Sequence, residues 1–354
     1  MERGSKRNAR RGATASAFLI ALAILAWADS RMAGTAHAFS WRDEAARAAP
    51  LRTNKKLPSP ASSAHAFATT QFESSRGTAR TLPAYARFRE VSGRGLVVKT
   101  WINGEGPFDF AIDTGAGSTI LSTRAARAAR VALAGSRTVG LSGLSGARGA
   151  VAREASVSSV ALGTPDNYLP GRGSIIVADT LPPDLDGVLD PSELFNPLGY
   201  VIDFRAGTLR AFDPRVEPLR GSAAPADGDI VSWLTDGTTR RPFVMLEGGR
   251  RALIDTGSGL GLGLTPEAAE ALGVLGGEGR ERGGGVRDLA RGRVEARRIE
   301  PATVRVGALV LRRIPTDLLA GASASAPVIL GRDALRPFEL TFDPLNHLIR
   351  FVPR

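Results

Sequence analysis

A chain of 354 residues with 43% hydrophobic composition can bury one large core or two small ones, and without cysteine it has no disulfide, thiolate nucleophile or cysteine-ligated metal. It has only three histidines, and His37 and His65 fall in the N-terminal tail, so His347 alone is left for the folded part and neither a metal cluster nor a Ser/His/Asp triad is expected. The net charge of +11 could mark a polyanion binder, but the arginines are scattered among alanine and glycine without interleaved aromatic platforms, so no nucleic-acid partner is expected.

Arg3, Lys6, Arg7, Arg10 and Arg11 precede an apolar run from Ala13 to Ala28, and the small-x-small site Ala36-His37-Ala38 follows. Those are the parts of a secretory signal. The run is shorter than the ~20 apolar residues that cross a bilayer, which favours cleavage after Ala38 over retention as an anchor. Residues 1–38 are therefore predicted to be a signal peptide and the product exported, periplasmic or secreted. The alternative is attachment to the inner membrane by an uncleaved segment. Residues 39–87, rich in Ala, Ser, Pro and Arg without a sustained period, read as a flexible or propeptide-like spacer. A Pro-containing connection at 215–228 separates a first half, 88–214, from a second, 229–354.

The two halves repeat each other. Pro107-Phe-Asp-Phe-Ala-Ile-Asp113-Thr114-Gly115 and Arg251-Ala-Leu-Ile-Asp255-Thr256-Gly257 are apolar strands ending in Asp-Thr-Gly. Asp190, closing Val188-Leu189-Asp190, lies 77 residues beyond Asp113, and Gly331, closing Ile329-Leu330-Gly331, lies 76 beyond Asp255. Short helical stretches follow, Pro191–Phe195 and Arg332–Leu335, then strands ending in Asp203 and Asp343, then a turn and a last strand through Leu209-Arg210 and Ile349-Arg350. Ser122 and Thr265-Pro266-Glu267 each open an Ala-rich helix, the second stopped by Gly273. Glycine-rich stretches around Gly140–Gly149 and at Gly276, Gly277 and Gly283–Gly285 suit hairpin tips or plain loops.

Taken together, these motifs resemble the aspartic peptidases, in particular bacterial retropepsin-like proteins with two units in one chain. The resemblance spans about Gly95 to Arg354 and includes the lead-in Asn103-Gly-Glu-Gly-Pro107. It implies an all-β fold of two similar barrel-like lobes about a pseudo-twofold axis with short helices, and an aspartic endopeptidase that needs no cofactor or metal. Carried over by position, Asp113 and Asp255 are the catalytic pair, and Thr114 and Thr256 interlock the two loops. Gly115 and Gly257 allow the tight turn, and Ser258, where the first loop has Ala116, supplies a hydroxyl hydrogen bond to Asp255. Two neighbouring carboxyls share one proton, so one acts as base and the other as acid.

Asp190 departs from this pattern by standing where glycine is expected, which brings a third carboxylate near the pair. It also supports the competing reading, a catalytically silent peptidase-like module that binds peptides or an envelope component. The expected partner is a peptide or protein substrate. A monomer is expected, because tethering two units in one chain favours pairing within it.

Overall fold

The computed structural model describes residues 81–354 except 149, 172, 221–227, 238, 275–279 and 282–284, together with the dipeptide Leu19–Ile20. The expected cleavage site and most of the spacer thus lie outside the described residues, as do Gly149, Gly276, Gly277, Gly283 and Gly284. Among the described residues no helix is long and apolar enough to cross a membrane.

The fold is all-β, with four short helices among the described residues. In the first half, Gly95–Ile102 and Glu105–Ile112 form a hairpin from Leu96↔Ile112 to Thr100↔Phe108. The second strand alternates: Phe110 and Ile112 point into the main core and Ala111 into a second apolar cluster. With both faces covered, this strand is fixed in register, since a slip of one residue would exchange its faces. Its far edge pairs parallel with Gly187–Leu189, which brings Leu189 beside Ile112. In the second half Arg251–Asp255 is flanked by Phe243–Met245 and, in parallel, by Val328–Gly331, with Asp255 beside Gly331. Each Asp-Thr-Gly loop therefore leaves the end of a strand that is pinned on both sides.

The two Ala-rich helices follow the expected cap chemistry. Ser122 accepts the Ala125 N–H at 3.1 Å to start Thr123–Ala128, and Thr265 accepts the Ala268 N–H at 3.2 Å to start Pro266–Ala271. Gly273 takes φ +65° just past the second of these, in the left-handed region open to glycine.

Where the halves meet, Gly199–Asp203 pairs antiparallel with Phe338–Asp343 through Tyr200↔Phe342, Val201↔Thr341, Ile202↔Leu340 and Asp203↔Glu339. Exchanging each residue for its repeat counterpart, 140 positions away, returns the first three of these pairs. The Tyr200 and Phe342 rings stack with centroids 4.6 Å apart, and Trp233 meets Phe342 edge-on at 6.0 Å. Beyond these central strands the sheet continues through Thr208–Phe212 and Ala86–Val91 on one side and Leu348–Pro353 and Asp229–Ser232 on the other. The strand Ala86–Val91 starts two residues ahead of the expected beginning of the first half.

The hairpin tips are placed unequally against the sequence reading. The first, joining Ala132–Leu141 to Ala150–Val157, falls in the glycine-rich stretch as expected. The second is carried by Val286–Arg287 paired with Arg293–Val294, so its turn is Asp288–Gly292, downstream of the glycine run.

Candidate active site

The two Asp-Thr-Gly loops meet back to back. Thr114 Oγ1 donates to Ile254 O at 2.6 Å and accepts the Thr256 N–H at 3.1 Å; Thr256 Oγ1 donates to Ile112 O at 3.1 Å and accepts the Thr114 N–H at 3.1 Å. Four buried hydrogen bonds thus tie the ends of the two strands across 140 to 144 residues of sequence. Replacing either threonine by valine leaves one buried carbonyl and one buried N–H unpaired, with a cost of about 1–3 kcal/mol per orphaned group. Urea unfolding should register that loss for Thr114→Val and Thr256→Val, and Thr→Ser, which keeps the hydroxyl, should recover most of it.

The glycines are required by close approach. A Cβ on Gly257 would sit 2.3 Å from the carboxyl carbon of Asp113, and one on Gly115 would sit 2.8 Å from that of Asp255. Each carboxyl thus lies against the opposite loop. Both aspartates are fully buried. Asp113 Oδ1 accepts the Gly115 N–H at 2.8 Å and Asp255 Oδ1 accepts the Ser258 N–H at 2.9 Å. The Oδ2 atom of each is buried without a conventional donor. A hydrogen bond between the two carboxyls satisfies these atoms only if one carboxyl carries a proton.

Local electrostatics distinguish the two carboxyls. Burial pushes Asp113 well above the carboxylate range, and the neighbouring Asp255 charge adds to the effect. Burial also raises Asp255, but only to about 6, because the Ser258 N–H, the hydrogen bond from Asp113 and the Arg332 guanidinium oppose it. Asp113 is therefore the more strongly raised of the two.

Arg332 is 6% exposed, and its Nη1 donates to Thr256 O at 2.7 Å and Gly257 O at 2.8 Å while its Nε lies 3.4 Å from Glu90. The second loop thus has a buried cation behind it. At the matching place in the first half stands Pro191, preceded by Asp190. Asp190 caps the helix Pro191–Leu194 by accepting the Ser192 N–H at 2.8 Å, and its own N–H donates to Thr119 Oγ1. Its charge is only the last of the influences raising Asp113. The expected disturbance of the pair by a third carboxylate is therefore minor, and Asp190 belongs to the scaffold. Ser258 also differs from expectation. It reaches Asp255 through its N–H, while its Oγ accepts the Leu260 N–H at 3.3 Å, so the hydroxyl stiffens its own turn.

Residues 98–170 match the family described as aspartyl protease. That stretch is similar to aspartyl proteases. The matched span includes the first Asp-Thr-Gly loop and the first hairpin, and ends before Asp190 and Asp255. No curated protein matches the chain.

Each of the two hairpin tips packs against the opposite half. Leu144 of the first tip is 1% exposed and packs with Leu260, Val286, Leu319 and Ile329 of the second half. Leu289 and Ala290 of the second tip pack with Ala116, Ile120, Leu141 and Val188 of the first. Asp288 Oδ2 accepts from both Ser145 N, at 3.0 Å, and Ser145 Oγ, at 2.6 Å, and Leu144 O accepts the Ser323 N–H at 2.8 Å. Gly143 leaves no room for a side chain, since its Cβ would lie 2.1 Å from the Asp288 carboxyl carbon. Sequence reasoning did not single out Arg332, Ser145 or Asp288. Nothing local marks them: one arginine among 42, one serine and one aspartate acquire their roles only through partners far along the chain.

Proposed function

We propose that the chain is an aspartic endopeptidase that hydrolyses peptide bonds with a water activated by Asp113 and Asp255, in a single-chain site formed by two related units. The observation that carries this reading is the opposed carboxyl pair, buried, with both Oδ2 atoms unpartnered and one proton to share. Ionised Asp255 takes a proton from water as its oxygen attacks the peptide carbonyl carbon, and protonated Asp113 gives its proton to the carbonyl oxygen. The C–N bond then breaks as Asp255 passes its proton to the departing nitrogen and Asp113 regains one from the diol. The four threonine hydrogen bonds and the Arg332 contacts hold this geometry before substrate arrives, which lowers the reorganisation needed in the transition state. The self-matching register at Val201↔Thr341 supports a twofold relation between the units, and the N-terminal pattern supports export of the enzyme.

No side chain forms an ester or thioester in this scheme. Cleavage of a mixed peptide library in water enriched in 18O should therefore place one heavy oxygen in each new carboxyl terminus, with no transfer of the acyl portion to added amines. Acyl transfer would overturn the mechanism. The packing of each tip against the opposite half favours a second reading, a peptide-binding module that closes without cleaving; folded wild-type protein that retains library peptides but leaves them intact across the pH range would select it.

A further inference from the structure

Next to the first tip is a cavity of 770 Å³, walled by Gly140–Leu144 and Arg148 on one side and by Arg250, Arg251 and the Ser323–Val328 loop on the other. Its charge is uneven. Arg148, Arg241, Arg250 and Arg251 line it, against Asp236 and Glu267. Arg241, only 3% exposed, is held by Asp236 through Nη2 at 2.5 Å and by Thr239. Arg251 donates to Thr235 O at 2.7 Å. The guanidinium carbons of Arg241 and Arg251 lie 5.4 and 4.6 Å from the centroid of the same Phe243 ring. Two cations on one ring repel each other, and the aromatic face offsets only part of that. Arg148 and Arg250, both exposed, bring further positive charge from opposite walls. Arg241 and Arg251 are thus held in place, and the cavity is short of negative charge.

We propose that this cavity binds the acidic side chains of a peptide substrate, several residues to one side of the bond being cut. This rests on the endopeptidase reading and narrows its substrate class to peptides with an apolar centre and a flanking acidic run. The first hairpin connects the two places: its Leu141 and Leu144 line the cavity and also belong to the apolar clusters beside the carboxyl loops. An extended peptide held under that hairpin continues into the cavity, where the arginine forks are suited to carboxylates.

The test uses full-length Asp255→Asn protein, so that binding is measured without cleavage. The probes are fluorescein-labelled dodecapeptides with a Leu-Leu centre and three glutamates at one end, paired with the same peptides carrying glutamines; both end placements are used. Fluorescence anisotropy should show the glutamate peptide binding roughly tenfold tighter for one placement and not the other. That preference should shrink towards unity in the Arg148→Gln/Arg250→Gln double variant. Equal affinity of glutamate and glutamine peptides overturns the proposal. So does a glutamate preference that survives the double variant or appears equally at both ends, since either outcome assigns it to the overall positive charge. The two readings fail separately: wild-type protein that cuts nothing while the one-ended preference holds would remove the endopeptidase reading and leave the acidic site, whereas cleavage of glutamate and glutamine peptides with equal kcat/KM would do the reverse.

Discussion

Asp113→Asn and Asp255→Asn are each expected to reduce peptide cleavage by about a thousandfold or more, and the double substitution should be scarcely worse, because groups that act as one unit lose their function together. Asparagine preserves the shape and can still accept the Gly115 or Ser258 N–H, so the loss is one of proton transfer and not of folding. The pH profile of kcat/KM should be a bell. Its acid limb lies near pH 6, where Asp255 must give up its proton to become the base, since its pKa is raised to about 6. Its alkaline limb lies where Asp113 loses the proton that makes it the acid, above the usual carboxylate range because burial and the Asp255 charge raise it. The optimum is therefore mildly acidic to neutral. The macroscopic values belong to the pair and not to either residue alone. Cleavage that persists in purified Asp255→Asn protein, or a profile without an acid limb, would count decisively against the dyad.

The strands were legible because their residues repeat. Phe110, Ala111 and Ile112 before one Asp-Thr-Gly, and Leu253 and Ile254 before the other, announce strands buried on both faces. The short helices were legible through their caps, Ser122 and Thr265. What was not legible depends on contacts between distant segments. Asp190 stood out as a missing glycine, yet its work as a cap is set by the Ser192 N–H and Thr119. The same position in the second half admits only glycine, because a Cβ on Gly331 would lie 2.4 Å from Leu260 O. The exchange of Leu144 and Leu289 between the two halves leaves no trace in either half alone, since an apolar residue in a hairpin tip reads as an ordinary exposed side chain.

Asp190→Asn is expected to stabilise the protein at pH 8 by several kcal/mol while leaving it within about 1 kcal/mol of the parent near pH 4.5, from the linkage between proton binding and folding. Asp190 is 1% exposed, and burial, with the Glu193 charge second, raises its pKa to about 8 from 3.8. Between those two values the folded protein keeps a proton that the unfolded chain has released, so the unfolded state binds fewer protons and stability falls as pH rises. The slope approaches about 1.4 kcal/mol per pH unit for one such group. Below the unfolded value both states are protonated and nothing is lost. The substituted asparagine keeps an oxygen for the Ser192 N–H, and asparagine is as good a cap as aspartate, so the helix Pro191–Leu194 retains its start. It cannot ionise, so this contribution to the slope disappears. Asp113, Asp255 and Glu193 are also raised by burial and contribute the same sign, which is why the comparison must be made between variant and parent at each pH. Urea unfolding at pH 4.5 and pH 8 measures the four stabilities required. If the gain at pH 8 fails to exceed that at pH 4.5, Asp190 is already ionised in the folded protein and its burial is compensated by a charge not seen around it.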